Sequence, residues 1–146
     1  MTAVVTVAGA LALVPALLLW LRHTVLVVTV AGQSMQPTLR PGDRLVVRRR
    51  EIGRVRPGQV VVARLRRRPA AGGPAAELIV KRVLAVPGDQ VPRDVVRALR
   101  DVPEETVPPG RLVVLGDNHA ASVDSRQFGY LHNSELVGVV GRHLSR

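Results

Sequence analysis

Glu77-Leu78-Ile79-Val80-Lys81-Arg82-Val83-Leu84-Ala85-Val86 is an aliphatic run with a lysine in its middle. A short run rich in Val and Ile, closed by the turn residues Pro87-Gly88-Asp89, reads as a buried β-strand. Lys81 is the only lysine among 21 basic residues; every other one is arginine. Arginine stays protonated, whereas a desolvated lysine can shed its proton and act as a base. The one exception to the arginine habit thus falls in apolar surroundings.

Other runs of the same character lie on both sides. Residues 24–31, 44–48, 59–65, 111–115 and 136–140 are short, apolar and bounded by Gly32, Pro41-Gly42-Asp43, Pro57-Gly58 and Gly116-Asp117-Asn118. Short strands at regular spacing between Pro-Gly and Gly-Asp turns predict an all-β domain. Residues 66–76, basic and then Pro/Gly/Ala-rich, read as an exposed hairpin loop. Between Val91 and Pro109 the pattern weakens to a surface excursion, with a short helix expected over 93–100. Internal repeats, a helix-turn-helix and the glycine spacings of nucleotide-binding loops are absent.

Thr2 to Leu21 carry no charged side chain; Trp20 lies at the end of the run, and Arg22 and His23 follow it. Twenty helical residues span roughly 30 Å, the hydrocarbon thickness of a bilayer. The run lacks the basic start of a cleavable leader and exceeds the usual leader core, so a retained anchor over 1–23 is expected, with the folded domain over 24–146. Charge does not fix its sidedness: Arg22 argues for a cytoplasmic domain, but whole domains translocate largely regardless of charge.

With 146 residues there is room for one modest domain beyond the anchor. Aromatics make up 2%, so Val, Leu, Ala and Ile must build the core, and the absence of cysteine excludes disulfides and thiolate metal sites. A formal charge of +10 suits an anionic membrane surface or nucleic acid. The four histidines show no ligand spacing, and neither a metal nor a cofactor is expected.

Gly32-Gln33-Ser34-Met35-Gln36-Pro37-Thr38-Leu39 supplies a hydroxyl just past the first strand. Pro37 keeps the stretch from being a helix interior, and Gly32 is expected to permit close backbone approach beside Ser34. Such a serine becomes a nucleophile only if a neighbour takes its proton. A neutral lysine can do so: burial lowers its pKa from about 10.4, and three units correspond to roughly 4 kcal/mol.

Taken together, several stretches resemble one family. They are Gly32-x-Ser34-Met35-x-Pro37-Thr38-Leu39, Gly42-Asp43, Pro57-Gly58-x-Val60-Val61, Lys81-Arg82-Val83 with Pro87-Gly88-Asp89, and Gly116-Asp117-Asn118 with Ser122-x-Asp124-Ser125-Arg126-x-Phe128-Gly129. In this order they resemble the type I signal peptidases, membrane-bound serine proteases with a Ser-Lys dyad, and their mitochondrial inner-membrane counterparts. The resemblance implies a signal-peptidase/SOS-repressor-like β-fold of short antiparallel strands, preceded by one transmembrane helix. It implies Ser34 as nucleophile, Lys81 as general base and Ser122 as the hydroxyl that orients the lysine. Asp124 and Arg126 match a structural ion pair, and Asp117 and Asn118 shape the adjacent turn. Met35, Leu39, Ile79 and Val80 would line shallow pockets for small side chains.

The implied activity is removal of signal peptides from exported precursors after small residues, through an acyl-enzyme, on the extracytoplasmic face. Implied partners are those precursors and membrane lipid, without nucleic acid; oligomeric state is left open. Two features depart from the pattern. Gly32 stands where some members carry a hydroxyl that donates to the oxyanion, a contact worth ~3 kcal/mol. The chain also lacks the large extra β-domain of longer members. The alternatives are an inactive membrane-tethered basic module that binds anionic lipid or nucleic acid, and a SOS-repressor-like autoprotease. The latter would need a DNA-binding helical module where this chain has an apolar run.

Overall fold

Valine-rich runs become strands because a β-branched side chain, stiff at χ1, packs well on a pleated surface. A computed structural model describes residues 24–65 and 77–144. It contains β1 (Val25–Thr29), β2 (Arg44–Arg48), β3 (Val60–Leu65), β4 (Glu77–Ala85), β5 (Arg111–Leu115), β6 (Leu131–His132) and β7 (Leu136–Leu144). They form one sheet in the order β1-β2-β7-β3-β4-β5-β6, with every pairing antiparallel. A four-residue helix, α1 (Ser125–Phe128), leads into β6. The anchor expected over 1–23 and the loop expected over 66–76 lie outside the described residues. Among the described residues no helix is long and apolar enough to cross a membrane.

Strand β3 shows how the sheet buries both faces. Val61 and Ala63 enter one core with Ile79, Val83, Leu112 and Val114. Val62, pointing the other way, meets Val30, Met35, Leu39, Leu45 and Val47. Register shifts at Val46/Val47, Val62/Ala63 and Val83/Ala85 mark three irregularities in the ladder, each of which increases local twist.

Residues 91–107 correct the sequence reading. They are not a surface excursion: Val91, Val96, Leu99 and Val107 are buried with Ala85 and Val113 in a third core. Only Arg97–Leu99 is helical, as a single 3-10 turn. Apolar side chains at irregular spacing carry no periodic signal, so the segment lacked a signature despite having its own core.

Candidate active site

Strand β4 alternates between faces, so Ile79, Lys81, Val83 and Ala85 are buried while Leu78 and Leu84 are exposed. Lys81 therefore occupies a core-facing position and is only 4% exposed. Burial pushes its ammonium below the ordinary lysine value of 10.5; Asp124 and Glu77 oppose the shift and Arg126 adds to it.

Register leaves one edge of this strand open. Strand β3 pairs with β4 from Glu77 to Arg82, but β5 joins the opposite side only from Arg82 onward. Strand β1 is the terminal strand of the sheet and pairs with β2 alone among the described strands. Between these edges lies a cleft of about 490 Å³. Ser34, Met35, Ile79, Val80 and Lys81 line it, with Val28–Gln33 along one wall and Ala121 and Val123 at its end.

Ser34 stands in a tight turn in which Gln36 N–H donates to Gln33 O (3.1 Å) and Leu39 N–H to Met35 O (2.9 Å). That turn carries Leu39 into the core, at 3% exposure, rather than into the cleft. Leu39 instead borders a separate groove with Thr38, Val60 and Arg82, which corrects its expected place in the pocket wall. Met35 is buried in the same core yet also reaches the cleft.

The Gly116–Asn118 turn holds the serine segment from the far side. Asn118 donates its backbone N–H to Ser34 O (2.9 Å) and its side-chain amide to Gln33 O (3.2 Å). Asp117 accepts two hydrogen bonds from Arg82, at 2.8 and 2.6 Å, anchoring the turn to β4. Extending the β4–β5 register by one pair from Arg82↔Leu115 sets Gly116 opposite Lys81. A Cβ on Gly116 would lie 2.6 Å from Ser34 O and 2.5 Å from Ser122 Cβ. The close approach expected at Gly32 is therefore found at Gly116; a Cβ on Gly32 would meet nothing within 4 Å. Gly116 has no left-handed φ, so glycine is needed there for space.

Below the cleft, Ser122 donates its hydroxyl to Asp124 Oδ2 (2.7 Å). Asp124 also accepts from Gly116 N–H (2.8 Å) and from Arg126 Nε (2.9 Å) and Nη2 (2.8 Å), and caps α1 through Arg126 N–H. Burial alone would raise its carboxyl pKa, but the Arg126 side chain, Gly116 N–H, Ser122 hydroxyl and Arg126 N–H hold it down at about 2. Because the folded value lies below the ordinary 3.8, the stabilisation is complete above the unfolded value and is lost as pH falls toward 2. Asp124 thus contributes about 2 kcal/mol that vanishes between roughly pH 5 and 2. Urea unfolding followed from pH 6 to 2 is expected to show that loss, and Asp124→Asn to flatten it. An unchanged acid limb in the variant would refute the assignment.

The sequence model for the family described as "Signal peptidase, peptidase S26" matches residues 1–96 and 92–143. This chain belongs to that family. It is a serine endopeptidase. It is similar to signal peptidase I of Bacillus caldolyticus, 31% identical over 143 residues that cover 76% of this chain and 74% of the relative. Signal peptidase IB of Staphylococcus aureus is 29% identical over 148 residues, covering 77% and 73% respectively. A crystal structure of a signal peptidase I from Enterococcus faecalis aligns with TM-score 0.42 and 21% identity, over 60% of this chain and 97% of that one.

Of the residues singled out from sequence, Ser34, Lys81, Met35, Ile79, Val80 and Gly32 share the cleft. Ser122, Asp124 and Arg126 form the hydrogen-bonded base beneath it, and Asp117 and Asn118 the clamp beside it. Gly116 was missed as a site residue. Its Gly-Asp-Asn context signalled a turn, but nothing local signalled the carbonyl of residue 34 pressed against it.

Proposed function

We propose that this S26-family peptidase removes signal peptides from exported precursors with Ser34 as nucleophile and Lys81 as general base. The observation that carries the reading is that the sole lysine of the chain is buried, at 4% exposure, in the wall of the cleft that holds Ser34. Its depressed pKa favours the neutral amine, the form that can accept a proton from the serine.

Ser34 Oγ attacks the scissile carbonyl carbon as Lys81 Nζ takes the hydroxyl proton. The Ser34 backbone N–H supplies one oxyanion donor, and Gly32 offers no hydroxyl as a second. When the C–N bond breaks, Lys81 returns the proton to the departing amine and the acyl group stays as an ester on Ser34. Water then attacks the ester carbon, Lys81 removes its proton, and the ester oxygen leaves as the Ser34 hydroxyl when that proton is returned. Ser122 keeps lone pairs for the lysine amine while donating its own proton to Asp124. The precursor lies extended between the open edges of β1 and β4, its small side chains against Met35, Ile79 and Val80.

In this reading residues 1–23 anchor the peptidase domain of 24–146 on the extracytoplasmic face, where signal peptides emerge. The test is acid quenching of detergent-solubilised full chain during turnover of a precursor peptide, followed by mass spectrometry. The N-terminal product fragment is expected as an ester on the peptide containing Ser34, and to be absent from Ser34→Ala together with cleavage. Cleavage without such an ester, or surviving in Ser34→Ala, would overturn the proposal.

A further inference from the structure

The catalytic cleft does not use the largest concentration of positive charge among the described residues. Arg48, Arg50 and Arg54 converge on two adjoining clefts of about 510 and 580 Å³, at the end of β2 and the 3-10 turn Ile52–Arg54. Arg49 joins the first cleft and Arg56 the second. Glu51 is the only carboxylate lining either, and none of these arginines is in an ion pair among the described residues. The groove is formed in part by β7: a Cβ on Gly141 would lie 3.7 Å from Arg48 Cδ and Nε, so the Arg48 stem lies across that glycine. Unpaired guanidiniums in a concave site match a phosphate, which they can grip through parallel N–H bonds.

Position selects which phosphate. Thr24 and Val25 line the first cleft; Arg49 N–H donates to Thr24 O (3.0 Å), and Val25 pairs with Arg48. The uncharged run ends at Leu21, three residues earlier, which a chain cannot stretch beyond about 11 Å. That reach is close to one Debye length, so the groove feels the charge of the bilayer surface into which this run would insert. We infer that the arginine groove of residues 48–56 binds the phosphodiester headgroup of an anionic glycerophospholipid at the root of the anchor. The inference rests on the anchored reading of residues 1–23 but not on the Ser-Lys chemistry.

The test titrates short-chain phosphatidylglycerol, short-chain phosphatidylcholine, inorganic phosphate and a short oligonucleotide into the detergent-solubilised full chain by calorimetry. Saturable binding is expected for phosphatidylglycerol, at least tenfold weaker for phosphatidylcholine, with inorganic phosphate competing weakly. Each guanidinium near an anionic lipid surface is worth roughly fivefold in affinity. Arg48→Gln/Arg50→Gln/Arg54→Gln is therefore expected to weaken phosphatidylglycerol binding about a hundredfold, and Arg50→Gln alone about fivefold. The exposed pair Arg97→Gln/Arg100→Gln, remote in sequence from the groove, controls for bulk charge and is expected to leave binding unchanged. The arginine variants keep cleaving a short soluble peptide, whereas Ser34→Ala keeps the lipid site, so the two proposals fail separately. Equal lipid affinity in wild type and triple variant, or an equal loss in the control pair, would overturn the assignment. So would inorganic phosphate or an oligonucleotide binding more tightly than the lipid.

Discussion

Lys81→Arg is expected to abolish precursor cleavage, lowering kcat/KM by about 10³-fold or more while the β-fold is retained. General-base assistance is worth about 10²–10⁴ in rate, and a guanidinium cannot give it because it does not deprotonate in a protein. The position accentuates the difference. Lys81 lies on the core-facing side of β4 among Ile79 and Val83, where burial disfavours the charged amine. In the wild type kcat/KM should therefore rise with pH as the ammonium loses its proton, with a midpoint below the ordinary lysine value of 10.5. The same depressed pKa makes the buried ammonium destabilising below that midpoint, a cost relieved as pH rises through it. Lys81→Met, which removes both base and charge, is expected to be equally inactive but at least as stable as the wild type at neutral pH. Steady-state cleavage across pH, with thermal unfolding of both variants, checks all three statements. Activity of Lys81→Arg within tenfold of the wild type would reject a neutral-lysine mechanism.

Gly116→Ala is expected to cost at least 10² in kcat/KM and about 1–3 kcal/mol in stability, the usual range for overpacking a well-packed site. The added Cβ would fall 2.6 Å from the Ser34 carbonyl oxygen and overlap Ser122. Neither neighbour is a flexible side-chain tip. The carbonyl is already held by Asn118 N–H, and Ser122 is tied to a fully buried Asp124. Relief requires moving the serine segment away from β5, and a displacement of about 1 Å at a reacting centre can cost 10²-fold. Gly32→Ala provides the contrast, since its Cβ enters open space and the fold should be unaffected. Circular dichroism, thermal unfolding and cleavage kinetics on the pair decide the matter. Wild-type turnover by Gly116→Ala would show that the turn does not position Ser34.

Much of the β architecture was legible because it is written locally. Runs such as Arg44–Arg48 and Arg111–Leu115 are β-branched, short and fenced by Pro-Gly or Gly-Asp turns, and both strands keep the bounds read from the sequence. Strand β7 extends to Leu144, beyond the apolar run that ended at Val140, because pairing with β2 supports exposed polar residues that pattern alone would exclude. The segment 91–107 was misread for the opposite reason. Val91, Val96 and Val107 are buried one at a time against Ala85 and Val113, at spacings that match neither a helix nor a strand.

The sequence by itself determined the alphabet of the site: one lysine among arginines, set in a strand, and a serine between glycine and proline after another strand. It also determined the family, because the motifs occur in order along the chain. Only the tertiary structure decided that β4 has an open edge next to Lys81, that Leu39 turns into the core and that Gly116 lies against Ser34. The reason is physical: side-chain period and turn chemistry act over a few residues, whereas strand order and close backbone contact depend on segments some eighty residues apart, which only packing brings together.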